Sequence, residues 1–322
     1  MKHLFIINPV AGKGKPLKLI PEIQKYFNKY GSEYDIKVTQ YPGQATDIVR
    51  QYAGNANIHN ELRIYAVGGD GTVNEIVNGI LQSANRTYCS LAIIPSGSGN
   101  DFFKSSAGTR PHCLSFQDLL DCSANGETNP IDIAMVNGRY FANIASFGFD
   151  AEVVFHAQKI KKISWLPANL CYFASIITTM FRYKNLHMVV TIDNQRIDDK
   201  FLLLAVANGK YYGGGILPAP EAKIDDGLLD VCLIHQKNFF EILTTLPKYV
   251  KGQHRDVPGV SFFKARELKA VCDREIALNL DGEIIQGKEA VFQVVPGGIN
   301  LVAPHFQSDL TREQAAASSM SY

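Results

Sequence analysis

The first hundred residues alternate short apolar runs with longer amphipathic ones. The runs Leu4 to Ile7, Ile36 to Thr39, Leu62 to Val67 and Leu91 to Ile94 read as strands, and Leu17 to Tyr30, Ala45 to Tyr52 and Val73 to Leu81 carry helical spacing. Such alternation predicts a parallel sheet covered by helices, with ligands bound at the carboxyl ends of the strands. Three turns fall at those ends: Asn8-Pro9-Val10-Ala11-Gly12, Gly68-Gly69-Asp70-Gly71-Thr72 and Pro95-Ser96-Gly97-Ser98-Gly99-Asn100-Asp101. The topology predicts that they converge on one cleft.

The middle turn says most about chemistry. Its three glycines permit positive φ and remove side chains, so backbone N–H groups at a helix start can approach an anion closely, and phosphate is the natural guest. Asp70 would repel that guest unless a cation lies between them, which a magnesium nucleotide supplies. Taken alone, Gly-Gly-Asp-Gly could equally be a hairpin or a plain loop. Other nucleotide folds are excluded by pattern: G-x-x-x-x-G-K-[ST] is missing, Gly12-Lys13-Gly14-Lys15 resembles it only in composition, and neither the dinucleotide fingerprint nor the protein-kinase signatures occur. Ser96-Gly97-Ser98-Gly99 lacks the nucleophile elbow of a hydrolase.

A length of 322 residues suits two domains. With 32 basic against 31 acidic residues, no nucleic-acid surface is expected. The six cysteines form no C-x-x-C pair and the eight histidines no zinc spacing, so a reducing cytoplasm without zinc is the expectation. The start of the chain reads as a strand rather than a signal peptide. Ile163 to Phe181 is the most apolar stretch, but Pro167, Asn169 and Ser175 interrupt it. It reads as a core helix or as an interfacial one, with Trp165, Tyr172 and Phe173 on acyl chains and Lys159, Lys161, Lys162, Arg182 and Lys184 at headgroups. Polar stretches at Lys104 to His112 and Cys122 to Pro130 then break the pattern, and strand candidates dominate from Asn129: Ile131 to Val136, Tyr140 to Ala145, Met188 to Ile192, Phe201 to Ala207, Leu228 to Ile234, Glu275 to Leu280 and Ala290 to Val295. They predict a chiefly antiparallel sandwich or barrel-like module.

The three turns, with Val73-Asn74-Glu75 and Phe102 extending two of them, resemble the diacylglycerol kinase catalytic-domain family, which includes soluble bacterial lipid kinases and sphingosine kinases. Asp225-Asp226-Gly227 and Asp281-Gly282-Glu283 match its second-domain signatures in order, so the resemblance covers almost the whole chain. It implies an α/β N-terminal domain related to NAD kinases and phosphofructokinases, a parallel sheet with helices, followed by a β-rich, sandwich-like C-terminal domain. The boundaries expected are 1–128 for the nucleotide domain and 129–296 for the lipid-substrate domain. A closing strand at 297–305 is left open to return to the first, and 306–322 is a flexible tail.

Carried over by residue, the resemblance implies that Asn8, Pro9, Val10, Ala11 and Gly12, with Gly68, Gly69, Asp70, Gly71, Thr72, Val73 and Asn74, cradle the phosphates of ATP. Thr39 and Ser98 add hydroxyls, although the family more often has threonine where Ser98 stands. Catalysis is assigned to Asp70, beside which a catalytic Mg²⁺ bridges the phosphates, and to an acid of Asp281-Gly282-Glu283 as the base, with Asp281 and Glu283 as rivals. On spacing alone Asp281-Gly282 predicts a tight hairpin. A second Mg²⁺ is implied at the Asp226 carboxylate and the main-chain carbonyls of Lys223 and Leu228, where the plain reading is another turn. The expected reaction is Mg²⁺-dependent transfer of the γ-phosphoryl group of ATP to the hydroxyl of diacylglycerol or a similar lipid alcohol. A sphingoid base, a soluble acceptor such as NAD, and a non-catalytic nucleotide and lipid sensor are the alternatives. The expected partners are a lipid substrate at a membrane surface and no nucleic acid, with a homodimer and peripheral contact at the inner membrane face left open.

Overall fold

The computed structural model of the chain describes residues 1–107, 115–160, 178, 179, 183 and 185–303. Contacts divide the chain into one unit of residues 1–131 and 298–322 and another of residues 132–297. The apolar stretch Ile163 to Phe181, apart from Thr178 and Thr179, lies outside the described residues, as do its flanking basic side chains and the tail 306–322.

In the first unit, β1 (Lys2–Ile7), α1 (Lys15–Tyr30), β2 (Tyr34–Val38), α2 (Gln44–Ala53), β3 (Leu62–Gly68), α3 (Asp70–Leu81) and β4 (Cys89–Pro95) alternate. The strands pair in parallel in the order β2-β1-β3-β4. β3 is buried along its whole length, which explains its unbroken apolar sequence, since helices cover both faces of such a sheet. The core packs Phe5, Ile7, Phe27, Tyr65, Val67 and Ile94. The α4 helix (Asp101–Ala107) and the α5 helix (Phe116–Asn125) follow. Helix α5, absent from the sequence reading, begins on a capping box in which Ser115 and Asp118 satisfy each other's backbone N–H. Its other end is tied by buried Arg63 on β3, whose guanidinium donates to the carbonyls of Ser123, Ala124 and Gly126. The Cys122 to Pro130 stretch is therefore not a break but the end of a helix and the start of β5 (Thr128–Val136).

His3, buried on β1, hydrogen-bonds Tyr65 Oη at 2.8 Å. Burial, reinforced by the Arg63 charge, pushes its pKa down to about 4. The unfolded chain then binds more protons than the folded one between about pH 4 and 6.5, so the stability present above 6.5 is lost as pH falls through that window. Urea unfolding should show a loss on the order of 2 kcal/mol from His3 between pH 7 and 4.5, and the His3→Gln variant should lack that increment.

The second unit is antiparallel. It contains the end of β5, then β6 (Arg139–Phe141), β7 (Ile144–Gly148), α6 (Phe149–Ile160), β8 (Leu186–Ile192), β9 (Gln195–Ala207), β10 (Leu229–His235), the helix Phe239–Val250, β11 (Val260–Ala265), β12 (Glu267–Leu280) and most of β13 (Glu283–Val302). The long strands β9 and β12 each pair with β8 over one half and with β7 over the other. Leu186, Met188, Val190 and Ile192 alternate inward along β8, as one buried face requires. They meet Phe141, Phe147, Phe201 and Phe292 in one core, while Phe149, Leu203, Ile234 and Ile242 belong to a second that includes the helix.

Two readings of strands change. Tyr140 to Ala145, expected as one strand, is interrupted at Ala142 and Asn143, where the backbone turns its N–H groups to Asp281. The strands expected at Phe201, Glu275 and Ala290 start earlier or run longer, because the mostly polar Gln195 to Lys200 and the mixed segment Glu267 to Cys272 still make ladder pairs, with the register broken before Ile276. The final residues of β13 belong to the first unit, where Asn300 and Leu301 pair in parallel with Ser90 and Leu91 of β4.

Candidate active-site residues

In the first unit the three turns follow β1, β3 and β4 and are bound to one another. Asn8 Nδ2 donates to Thr72 Oγ1 at 3.1 Å, and Asn8 Oδ1 accepts the Val10 N–H. The Gly68 carbonyl accepts N–H groups from Ser96 and Gly97 at 2.9 and 3.0 Å. The expectation that the Gly68 to Gly71 glycines supply positive φ is not met, since none of them has it. Close approach is the reason at two of them: a Cβ on Gly68 would lie 2.3 Å from Thr72 Oγ1 and one on Gly69 3.2 Å from Gly97 Cα, while one on Gly71 would meet nothing within 4 Å. Positive φ occurs in the first turn, where Gly12, Lys13 and Gly14 are all left-handed, and a Cβ on Gly12 would lie 2.0 Å from the Ser96 carbonyl oxygen. No side chain caps the start of α1 or α3, although Pro16 brings no N–H to α1 and the Thr72 N–H of α3 is taken by the Gly69 carbonyl at 3.0 Å.

A cavity of about 230 Å³ is lined by Asn8, Pro9, Val10, Thr39 and Thr72 among the expected residues. Gln40, Tyr41, Pro42, Ala45 and Glu75 complete it and were not foreseen. Glu75 lies one turn beyond Thr72 on α3, a spacing that could have flagged it, and its carboxylate accepts the Ala45 N–H. The Thr39 hydroxyl is spent on the Ile7 carbonyl at 3.3 Å. Ser98, Ala11, Gly12, Gly68, Gly69, Asp70, Gly71, Val73 and Asn74 do not line this cavity; Val73 and Asn74 are buried in α3.

Asp70 opens α3 and accepts the Phe102 N–H from the first turn of α4 at 2.9 Å. Burial pushes its carboxyl upward, with the neighbouring Asp101 charge adding to the rise and the Phe102 bond opposing it. A carboxylate that burial disfavours is relieved by a bound cation, so Asp70 fits a divalent metal. Asp101, itself buried, is paired with Lys104 at 3.1 Å.

In the second unit the rivals Asp281 and Glu283 separate. Asp281 occupies a left-handed position, and its carboxylate accepts N–H groups from Ala142, Asn143 and Ile144 at 2.7, 3.1 and 2.9 Å. Glu283 is exposed and pairs with Arg139 at 2.9 Å. Near the second expected metal, Asp226 Oδ1 accepts the Leu228 N–H, and Oδ2 lies 2.7 Å from Lys264 Nζ, which also reaches Asp230 at 3.3 Å. The ammonium of Lys264 thus sits on the carboxylate, and among the described residues no three His, Cys, Asp or Glu gather to hold a metal. As arranged, Asp226, Lys223 and Leu228 fit a metal ion only with Lys264 displaced. The loop itself is fixed by buried Asp132, which accepts N–H groups from Gly227 and Gly297.

Comparison with known proteins gives the following. Residues 2–136 match the family described as diacylglycerol kinase catalytic domain, and residues 143–303 match the YegS C-terminal NAD kinase beta sandwich-like domain. A Bacillus subtilis (strain 168) protein named diacylglycerol kinase is 29% identical over 88% of this chain and 90% of its own length. A Pseudomonas aeruginosa (strain UCBPP-PA14) protein named "Probable lipid kinase YegS-like" is 32% identical over 85% of this chain and 86% of its own. In fold, a crystal structure of a diacylglycerol kinase from Bacillus anthracis str. Sterne superposes with a TM-score of 0.69, at 22% identity, over 94% of this chain and 96% of that one. An α/β unit with uncapped helix starts at its strand ends and a sandwich-like unit, each matched by its own family, place this chain in the diacylglycerol kinase catalytic-domain family of lipid kinases.

Proposed function

We propose that the protein transfers the γ-phosphoryl group of ATP, in the presence of Mg²⁺, to the hydroxyl of diacylglycerol or a similar lipid alcohol. The observation that carries this is the first turn of the nucleotide unit, where Gly12 packs so tightly on Ser96 that only bare backbone fits, next to helix starts no side chain caps. Backbone N–H groups at such positions bind phosphate oxygens through hydrogen bonds and the helix dipole. Phosphoryl transfer asks the protein chiefly for alignment and charge neutralisation. In this reading Asn8 to Gly12 and Gly68 to Thr72 hold the triphosphate, and Asp70 holds the Mg²⁺. The ion, when bound, neutralises charge developing on the phosphate oxygens.

The acceptor hydroxyl must lose a proton as its oxygen bonds to phosphorus and the ADP oxygen leaves. Asp281 is assigned that proton over Glu283, because three backbone donors hold it in one orientation while Glu283 sits in an exposed ion pair of small energetic weight.

The test is purified protein with Mg²⁺ and radiolabelled ATP against a panel of diacylglycerol, monoacylglycerol, sphingoid base and NAD. Label in a lipid phosphate, absent from NAD, is expected. Label in NAD alone would refute the assignment.

A further inference from the structure

The helix Phe239–Val250 carries more apolar surface than its own packing uses. Ile242, Thr245 and Tyr249 are buried, which accounts for one face. Phe240, Leu243, Pro247 and Val250, spaced by three, four and three, form a second stripe roughly 150° round the helix from the first. That stripe faces solvent: Phe240 is 76% exposed, Leu243 48% and Val250 40%, and Pro247 is exposed as well. A surface helix ordinarily keeps such positions polar, so four apolar residues in one line mark a face with a partner.

The edge of the stripe says which partner fits. Thr244, Lys248 and Lys251 are exposed and make the adjacent row. Neither lysine is in an ion pair among the described residues. The one acid of the helix, Glu241, lies beyond them and is spent on the capping box with Asn238 and on Lys237 at 3.9 Å. With 12 residues the helix is too short to cross a bilayer. An apolar stripe bordered by unpaired lysines suits a helix lying in the plane of an anionic bilayer, its apolar residues among the acyl chains and its ammonium groups at the phosphates. A second copy of the chain fits less well, because two such helices packed antiparallel about a twofold axis set lysine row against lysine row.

We propose that the outer face of the helix Phe239–Val250 docks the protein on the surface of an anionic phospholipid bilayer, with Phe240, Leu243, Pro247 and Val250 inserted and Lys248 and Lys251 at the headgroups. That the protein meets a bilayer at all rests on the lipid-kinase reading; the segment named differs from Ile163 to Phe181.

Co-sedimentation of the full chain with sucrose-loaded vesicles, without nucleotide or acceptor lipid, tests this. Vesicles of phosphatidylcholine with about one-third phosphatidylglycerol should pellet the protein, and phosphatidylcholine alone should bind it at least about tenfold more weakly. Lys248→Gln with Lys251→Gln should weaken binding to the mixed vesicles about 25-fold, about fivefold for each lysine. Phe240→Ser with Leu243→Ser should weaken it at least as much, and both pairs should leave the melting point unchanged because the positions are exposed. Phe240→Trp, made together with Trp165→Phe to remove the chain's single tryptophan, should show blue-shifted emission on the mixed vesicles and quenching by lipids brominated along their chains. Absence of binding to the mixed vesicles overturns the proposal. So does undiminished binding by the serine pair, or unshifted emission while the Phe240→Trp protein pellets. A dimer in sedimentation equilibrium that the serine pair converts to a monomer would give the stripe to a second copy and overturn it as well. On dihexanoylglycerol below its critical micelle concentration the serine pair should work within about twofold of the unaltered rate, so the docking result and the kinase result fail separately.

Discussion

Replacing Asp281 with alanine is expected to cost the second unit about 3 kcal/mol and the enzyme at least about 10² in kcat. The carboxylate accepts three backbone N–H groups from Ala142 to Ile144, a segment that has left its strand to make those bonds. Hydrogen bonds to a charged acceptor are worth about 1.5–3 kcal/mol each, and water entering the vacated space recovers part of the sum. For a unit of this size that corresponds to a fall in Tm of roughly 10 °C. Asp281→Asn separates the two roles. Its carbonyl oxygen still accepts part of the set, so the melting point should fall by less than half as much, while the rate falls by about 10² to 10⁴, the worth of a positioned base. Glu283→Gln removes only an exposed pair with Arg139 and should leave both quantities within about twofold. Calorimetry and a lipid phosphorylation assay on the same preparations check this; full activity in Asp281→Asn would remove the residue from the chemistry.

Gly12→Ala should act on the nucleotide rather than on stability. The new Cβ would stand 2.0 Å from the Ser96 carbonyl oxygen, at a φ of +51° that alanine adopts only at about 1 kcal/mol or more. Backbone oxygens cannot rotate away as a flexible side chain can, so the Asn8 to Gly14 turn must shift by about 1 Å. Misplacement of that size costs about 10² in rate in an aligned phosphoryl transfer. The loss should appear as a raised KM for ATP and a lowered kcat, with Tm moved by only a few degrees, since Gly12 is not in the core. Gly14→Ala is the control. Its φ is +85°, but the nearest atom to its Cβ is the Pro9 carbonyl oxygen at 3.9 Å, so it bears the backbone strain without the collision. Equal losses in the two variants would mean that loop strain, not packing on Ser96, governs the turn.

What the sequence made visible follows from how local each determinant is. The parallel sheet was readable because strands such as Leu62–Gly68 are apolar throughout, and the turns because they join such strands to periodic helices. Helix α5 was not readable: its polar Gln117, Asp118 and Asp121 resemble loop chemistry, and what holds its far end is Arg63, more than fifty positions earlier in an apolar strand. The glycines of Gly68-Gly69-Asp70-Gly71 were visible as glycines, but whether they served torsion or proximity depended on Ser96, Gly97 and Thr72, which only the fold brings near. Asp281 and Glu283 are equivalent as letters. They differ because the interrupted strand at Ala142 turns toward one of them, a pairing across more than 130 residues. Lys264 gave no local signal either, since a lysine on a strand is an ordinary residue until two carboxylates face it.

The closing strand has a bearing on how the gene can be divided. Because Asn300 and Leu301 flank β4, the first unit is assembled from two stretches of chain that lie more than 160 positions apart, residues 1–131 and those from Gly298 on. A fragment stopping at residue 131 would bare the backbone of β4 along that margin, an invitation to self-association. A free-standing version calls for the terminal segment to be spliced back behind α5, where Ala303 already donates to the Glu127 carbonyl at 2.9 Å.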